Sequence, residues 1–593
     1  MIGLVSVAVL GGAAQWLGWR LGLPAILLLL LFGLAAGPDG LGLVPTEEMF
    51  GDLLGPFVAL AVAIVLFEGA LTLQLPELGD SGGVVARLVT LGAAVTWGLG
   101  SLGARYLLDL SWSLAILVGA ILIVTGPTVV IPLLRQIRPV GPGGVVLKWE
   151  GILIDPVGAV LAVLVFEALI GGGSLDAMGG IGRTIVAGAV FGAGPAWILV
   201  VCLSRFWIPD HLHNLAALAL ALAGYALANV IQHEAGLLAV TVMGVVLANQ
   251  RRVDIRHITE FKENLQVLLI SVLFIVLAAR IEWSDLQALG APEFVFLGLL
   301  VLVVRPLSVA ACTVGTGLSM KDRVLVAVMA PRGVVAAAVT AVFAVRLEDA
   351  GFEGAERLVP IVFLIIAGTV TIYGLLGRPL AIRMGLAERT PNGVIIIGAH
   401  APGRSLAAAL RDLGVSVLVV DTNVALIRAA RMEGLRAYHG SVLSDQADYA
   451  LELPGIGKLF AMTANDEVNA LSALHFVHLF GRQNLFQLAP SSRPREGASK
   501  LGSEMRARVL FGRDVTIEEL RRRYAEGQRP KATHLTERFG FRAWREQHGE
   551  EALPLLTVSE DGAVTVGTVD KPLDPRPGDT LLAITRSDAT RAS

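Results

Sequence analysis

Residues 1–385 form a near-continuous succession of apolar runs, each long enough to cross a hydrocarbon core of about 30 Å. In lipid every backbone N–H and C=O must be satisfied within the protein, so such runs have to fold as membrane helices. They fall at about 3–19, 21–37, 50–72, 82–108, 113–134, 149–170, 183–204, 212–230, 235–249, 264–279, 292–315, 322–345 and 357–381, thirteen spans if the first two are counted separately. An odd number puts the two ends of the chain on opposite sides. With the N-terminus outside, the inner loops and the stretch after the last span carry fifteen Lys and Arg against five in the outer loops. That bias predicts a multi-pass protein of the cell inner (plasma) membrane whose residues from 391 onward are cytoplasmic. No Lys or Arg precedes Arg20, so the first run reads as a span and not as a signal peptide.

Charge confirms that the chain meets two solvents. Residues 1–390 hold 48 of the 97 Asp, Glu, Lys and Arg, and the much shorter remainder holds 49. From 391 short β-rich runs alternate with helical ones, as in "GVIIIGAH", "GRSLAAALRDLG", "VSVLVVD" and "NVALIRAARMEG", the pattern of a parallel, doubly wound sheet. A polar helical connector is expected after about 492, then a small β-rich module over Ala552–Ile584. The expected organisation is therefore a membrane all-α domain over 1–385, a Rossmann-like α/β domain over 391–490, and a connector with a small C-terminal lobe over 491–593. A net charge of only −3 leaves no polyanion signature, and no nucleic-acid partner is expected. Cys202 and Cys312 lie inside apolar runs and suggest neither disulfide nor metal site.

Ionisable residues inside membrane spans are costly and mark function. Asp155 lies well within the sixth span and precedes Pro156, whose ring removes a backbone donor and frees the carbonyl of Ile152. A carboxylate beside a freed carbonyl suits a hard cation. Glu150 comes five residues earlier and points about 140° away, so the two acids should serve different ends. Arg332, flanked by Pro331 and Gly333 in an apolar run, is the expected ion-pair partner of Glu150, because an unpaired buried charge is expensive. Arg305 is read as structural and Glu167 as interfacial, while Glu68 in "VLFEGALTLQL" is a further buried acid. Gly126-Pro127 in the fifth span and Pro331/Gly333 in the twelfth are matching interruptions. Paired breaks of this kind point to inverted repeats, here spans 4–6 and 11–13, with a midplane site where two broken helices cross. Unwound carbonyls there, that of Thr125 among them, would meet Asp155.

The segments "FEGALTLQL", "TGPTVVIPLLRQIRP", "WEGILIDPVGAV" and "APRGVVAAAV" together resemble the signature regions of the monovalent cation/proton antiporter superfamily, in its NhaP-like electroneutral branch. The resemblance spans roughly residues 1–385. It implies that Asp155 alternately takes a cation or a proton, that Glu150 and Arg332 form a structural pair, and that Thr125 and Glu68 lie at or near the ion path. Two positions depart from the pattern: Ile154 stands where an Asn is usual, and Gly126 where an Asp is usual. Asp155 is then the only carboxylate expected at the crossing, which suits one-for-one exchange.

The part after 391 resembles a TrkA-N domain, of the kind that regulates potassium conductance. The resemblance makes Gly398, His400, Gly403, Arg404 and Asp421 the nucleotide-binding candidates, with AMP, ATP, NAD or NADH as regulatory ligand and no cofactor for transport itself. His400 replaces the second glycine of the fingerprint and crowds the approach to a pyrophosphate. The function so implied is secondary antiport of Na⁺, or of K⁺ or Li⁺, against H⁺ by a homodimer, and not an enzymatic activity. A ligand-gated potassium efflux system or channel is the alternative, although no "TVGYG"-like filter segment occurs. A membrane-anchored NAD(P)-dependent oxidoreductase is the other, although no catalytic constellation follows residue 480.

Overall fold

A computed structural model describes the chain except for residues 1, 22, 138, 140, 172–174, 234, 254, 387–391, 444–454, 492–506, 561 and 587–593. It divides into two units, Met1–Ala387 and Glu388–Ser593, each with its own core.

The first unit is helical throughout. Its longer elements are α1 (Ile2–Leu21), α2 (Ala25–Ala36), α3 (Leu54–Leu71), α4 (Ala93–Leu107), α5 (Trp112–Ile121), α6 (Pro127–Ile137), α7 (Pro142–Gly171), α8 (Leu175–Ser204), α9 (His213–Ile231), α10 (Ala235–Asn249), α11 (Arg256–Ala278), α12 (Ala291–Leu299), α13 (Arg305–Thr313), α14 (Met320–Val328), α15 (Val334–Asp349) and α16 (Leu358–Arg383). Among the described residues eight helices are long and apolar enough to cross a membrane, joined by four shorter apolar ones at Ala25–Ala36, Trp112–Ile121, Ala235–Asn249 and Leu265–Ala278. Large apolar side chains such as Trp19, Val230 and Leu302 lie on the outside of these helices, a placement that lipid tolerates and water does not.

One order of elements occurs twice in this unit. A helix containing a π turn comes first, then a broken span, then a long helix with an internal proline. In the first repeat these are the π turn Leu88–Gly92 leading into α4, the pair α5/α6, and α7 with Pro156. In the second they are the π turn Leu300–Val304 between α12 and α13, the pair α14/α15, and α16 with Pro379. The two π-bearing helices lie side by side: Ser308 Oγ donates to the carbonyl of Gly92 (3.1 Å) and Cys312 Sγ to that of Arg87 (3.3 Å). A π turn leaves carbonyls without their regular partner, and these two side chains meet carbonyls at its edges.

The second unit opens with β1 (Gly393–Ile397), α17 (Ala401–Asp412), β2 (Val417–Asp421), α18 (Val424–Met432), β3 (Arg436–His439), β4 (Ile456–Ala461), α19 (Asp466–His475), β5 (Leu485–Gln487) and β6 (Arg508–Val509). The strands form one sheet in the order β3-β2-β1-β4-β5-β6 with every pairing parallel, the doubly wound Rossmann arrangement. Its sixth strand, β6, lies beyond residue 490, where the run of strands read from the sequence stops. Two residues are too short to show a period. The remainder, α20 (Ile517–Ala525), β7 (Arg529–His534), α21 (Phe541–His548), β8 (Leu553–Val558), β9 (Val564–Val566) and β10 (Thr580–Thr585), builds a separate antiparallel sheet in the order β7-β10-β8-β9. Residues 492–506, where the connector was expected, lie outside the described residues.

Candidate functional site

Both expected breaks are present and they cross. Helix α5 ends at Ile121 and α6 begins at Pro127, while α14 ends at Val328 and α15 begins at Val334. A Cβ built on Gly126 would lie 2.4 Å from Cα of Gly333, and one built on Gly333 equally close to Cα of Gly126. Neither position has room for any side chain, so the unwound segments touch backbone to backbone.

Helix α7 brings Asp155 to this crossing on one definite face. Gly151 and Gly158 lie four residues before and three after it, hence on the same side of the helix. A Cβ on Gly151 would stand 3.5 Å from the Thr125 carbonyl oxygen, and one on Gly158 would lie 2.4 Å from a methyl of Val124. The unwound Val124–Thr125 segment therefore rests on the face from which Asp155 projects. Asp155 is completely buried, and neither of its carboxylate oxygens has a hydrogen-bond partner among the described residues. An ionised carboxylate so enclosed would cost many kcal/mol, which a cation or a proton removes. Thr125 is buried at the same spot. Glu68 is buried in α3, and its neighbour Gly69 backs onto Ile152 of α7 and Ile131 of α6, which sets α3 against the two helices that flank the crossing.

Glu150 does not pair with Arg332. Its carboxylate is gripped by both terminal nitrogens of Arg305, Nη1 to Oε1 and Nη2 to Oε2, the latter at 2.8 Å. Arg305 also donates from Nε to the carbonyl of Val326 (3.1 Å) and from Nη2 to that of Met329 (3.3 Å), at the C-terminal end of half-helix α14. Arg332 reaches the other break, where Nη1 donates to the carbonyls of Ile123 (3.1 Å) and Val124 (3.4 Å), and its own amide donates to Thr369 Oγ1 (3.2 Å). The reason is positional. Arg332 lies in the unwound segment and faces the opposite break, whereas Arg305 starts a helix directly after a π turn and lies beside α14. Each half-helix thus ends against one guanidinium, the charge that the negative end of a helix dipole favours.

Three features of the site were not foreseen. Arg305 was read as structural without a partner, although its place in an apolar run was signal enough to test it against Glu150. Thr128, in the first turn of α6, has a buried hydroxyl with no partner among the described residues, 3.2 Å from where a side chain on Gly126 would begin. Ile154 points into an apolar cluster with Ala93 and Ile123, flanked by Val89, Trp97 and Leu161. Its neighbours in that cluster are apolar.

In the second unit the five nucleotide candidates sit together at the C-terminal end of β1 and β2. Gly398 has φ +117°, a conformation that favours glycine, and a Cβ on Gly403 would lie 2.3 Å from the Gly398 carbonyl oxygen. His400 caps α17: its Nδ1 accepts from the amide of Gly403 (3.1 Å) while Nε2 meets the carbonyl of Met462. Asp421 accepts from the amides of Ala399 (2.7 Å) and Asn423 (2.8 Å). Arg404 donates to the carbonyl of Ala399 (2.8 Å) and to Glu433 (2.7 Å). Burial, the largest influence, lowers the His400 pKa, as do Arg521 and Arg404, while the Met462 carbonyl and Asp421 act the other way.

Two helix breaks crossing beside the buried Asp155 carboxylate, in a unit whose elements repeat, define the broken-helix architecture found in secondary transporters. The family follows from comparison with known proteins. Residues 5–383 match the family described as "Sodium/hydrogen exchanger, transmembrane", to which the chain belongs, and residues 394–504 match the TrkA-N domain, a nucleotide-binding fold. The chain is 26% identical over 383 residues to a K(+)/H(+) antiporter NhaP2 of Shewanella sp. (strain MR-4), with 63% of this chain and 64% of that protein covered. It is 28% identical over 388 residues to Na(+)/H(+) antiporter 1 of Methanocaldococcus jannaschii, with 63% of this chain and 90% of that one covered. The match thus spans just under two thirds of the Shewanella relative's length. A solved structure of the sodium proton antiporter MjNhaP1 from Methanocaldococcus jannaschii at pH 8 shares the fold of the membrane unit, at TM-score 0.56 and 24% identity over 64% of this chain and 96% of that one. The chain is a multi-pass membrane protein with a soluble C-terminal unit.

Proposed function

We propose that the chain is a secondary antiporter in which one monovalent cation and one proton compete for Asp155. The observation that carries this reading is a carboxylate wholly buried, with neither oxygen partnered among the described residues, against the unwound Val124–Thr125 segment. Such a group is stable either protonated or with a cation beside it, and competition between those two states is exchange. No group of three or more His, Cys, Asp or Glu gathers among the described residues, so the cation would be held by one carboxylate with carbonyl and hydroxyl oxygens, those of Thr125 and Thr128 being at hand. Glu68 would line the approach. Relatives bear the names of both K(+)/H(+) and Na(+)/H(+) antiporters, so Na⁺, K⁺ and Li⁺ are the cations to compare.

The repeats would rock about the crossing to expose Asp155 to either side in turn, with a second copy of the chain holding the scaffold still. The protein would lie in the inner membrane, N-terminus outside and TrkA-N unit in the cytoplasm. That unit would act as a regulator, shifting the exchange equilibrium through a ligand with different affinity for two states. The test is cation-driven proton movement in proteoliposomes. Asp155→Asn should abolish it with Na⁺, K⁺ and Li⁺ alike, and normal exchange by that variant would end the proposal.

A further inference from the structure

The TrkA-N fold implies a nucleotide, yet the turn that would receive its phosphates is occupied from within. A pyrophosphate needs free amides at the start of the first helix and a glycine at the second position of G-x-G-x-x-G, so that the backbone can come close. Here the turn reads Gly398-Ala399-His400-Ala401-Pro402-Gly403. Pro402 has no N–H to offer, the amide of Gly403 is taken by His400 Nδ1, and that of Ala399 by Asp421. The imidazole bridges from the first turn of α17 to the carbonyl of Met462 just beyond β4. Asp421, the acid that would hold a ribose, has both oxygens engaged by backbone amides.

A single protonation state fits both ring contacts. Nδ1 must carry a lone pair to accept from Gly403, so the proton sits on Nε2 and donates to Met462, and the ring is neutral. The charged groups around it are Arg404 on its own helix, Arg521 on α20 and Asp421 at the end of β2.

We propose that His400 is the resident occupant of the phosphate seat, so that the domain excludes a dinucleotide for as long as the neutral imidazole stays in place. Protonation removes the lone pair that accepts from Gly403 and is the event that loosens the plug. The proposal concerns which nucleotide the regulatory reading above can use. It stands apart from whether binding alters transport.

Restoring the pattern tests it directly, because His400→Gly recreates Gly-x-Gly-x-x-Gly at 398, 400 and 403. With the full-length protein in detergent at about pH 8, well above the ordinary His pKa of about 6.5, NADH should leave the melting temperature of the wild type and of His400→Asn unchanged, since Asn can still cap the helix. His400→Gly should be stabilised by NADH and bind it at least about tenfold more tightly than the wild type. Equal binding by wild type and His400→Gly would overturn the proposal, as would an absence of binding by a folded His400→Gly. Should that variant not fold, amide exchange of the wild type decides: Gly403 should be protected at about pH 8 and lose protection as pH falls below the ordinary His value of about 6.5, and an unprotected Gly403 at the higher pH sinks the plug. NADH binding by His400→Gly with unaltered cation/proton exchange would refute the regulatory reading while leaving the plug intact.

Discussion

Gly126 and Gly333 meet backbone to backbone, with no space between them for even a methyl group. Interruptions in two distant parts of the sequence become one crossing through this contact, next to the Val124–Thr125 segment that rests on the Asp155 face of α7.

Gly333→Ala should consequently push the two segments apart. Overpacking of a tight contact costs about 1–3 kcal/mol, and exchange should fall more than stability because the displaced carbonyls are those of the site. Thermal unfolding and proteoliposome exchange measured on one preparation would check it; a variant with full exchange would show that the crossing can open without loss.

A double-mutant cycle separates the two arginines. Glu150→Ala or Arg305→Ala alone should cost about 3–5 kcal/mol, since each strands a buried charge, while the double variant should cost little more than either. The cycle of Glu150→Ala with Arg332→Ala should be additive to within about 0.5 kcal/mol. Strong coupling to Arg332 would restore the pairing read from the sequence.

Ile154→Asn would put an amide among Ala93, Ile123 and Trp97. A buried amide without partners costs about 1–3 kcal/mol, so the unfolding midpoint should drop. An unchanged midpoint would mean that a polar partner is within reach.

His400 makes the second unit sensitive to acid. Burial lowers its pKa, so the folded state binds the proton less readily than the unfolded chain. The stabilisation is therefore complete above the unfolded value of about 6.5 and fades as pH falls from there toward the depressed folded value. His400→Asn, which caps without titrating, should remove that share of the pH dependence. Melting of the two proteins at a series of pH values would show it, and parallel profiles would speak against a neutral buried ring.

The membrane architecture was readable in the sequence because lipid allows so few solutions: runs of apolar residues, Gly-Pro interruptions and a solitary Asp155 each have a narrow set of meanings. The partner of Glu150 was not readable. Arg305 and Arg332 are chemically equal, and only the packing of α13 against α14 sets one of them beside the acid. Thr128 escaped notice because threonine is unremarkable in a span until its hydroxyl is found without a partner. The turn at 398–403 reads in the sequence as a departure from the glycine fingerprint, but the sequence could not show that the His400 ring meets the Gly403 amide and the Met462 carbonyl.

The two π turns have a further consequence. Each is equivalent to an α-helix with one residue too many, the surplus absorbed locally so that the residues on either side keep their facing. Deleting one residue within Leu88–Gly92 or Leu300–Val304 should relax that stretch to ordinary α-helix and leave both flanks in phase. The same deletion elsewhere in a span would turn everything beyond it by about 100°. Helices α4 and α13 thus each carry a spare residue beside the site, and length changes in this chain are best tolerated where they erase a bulge.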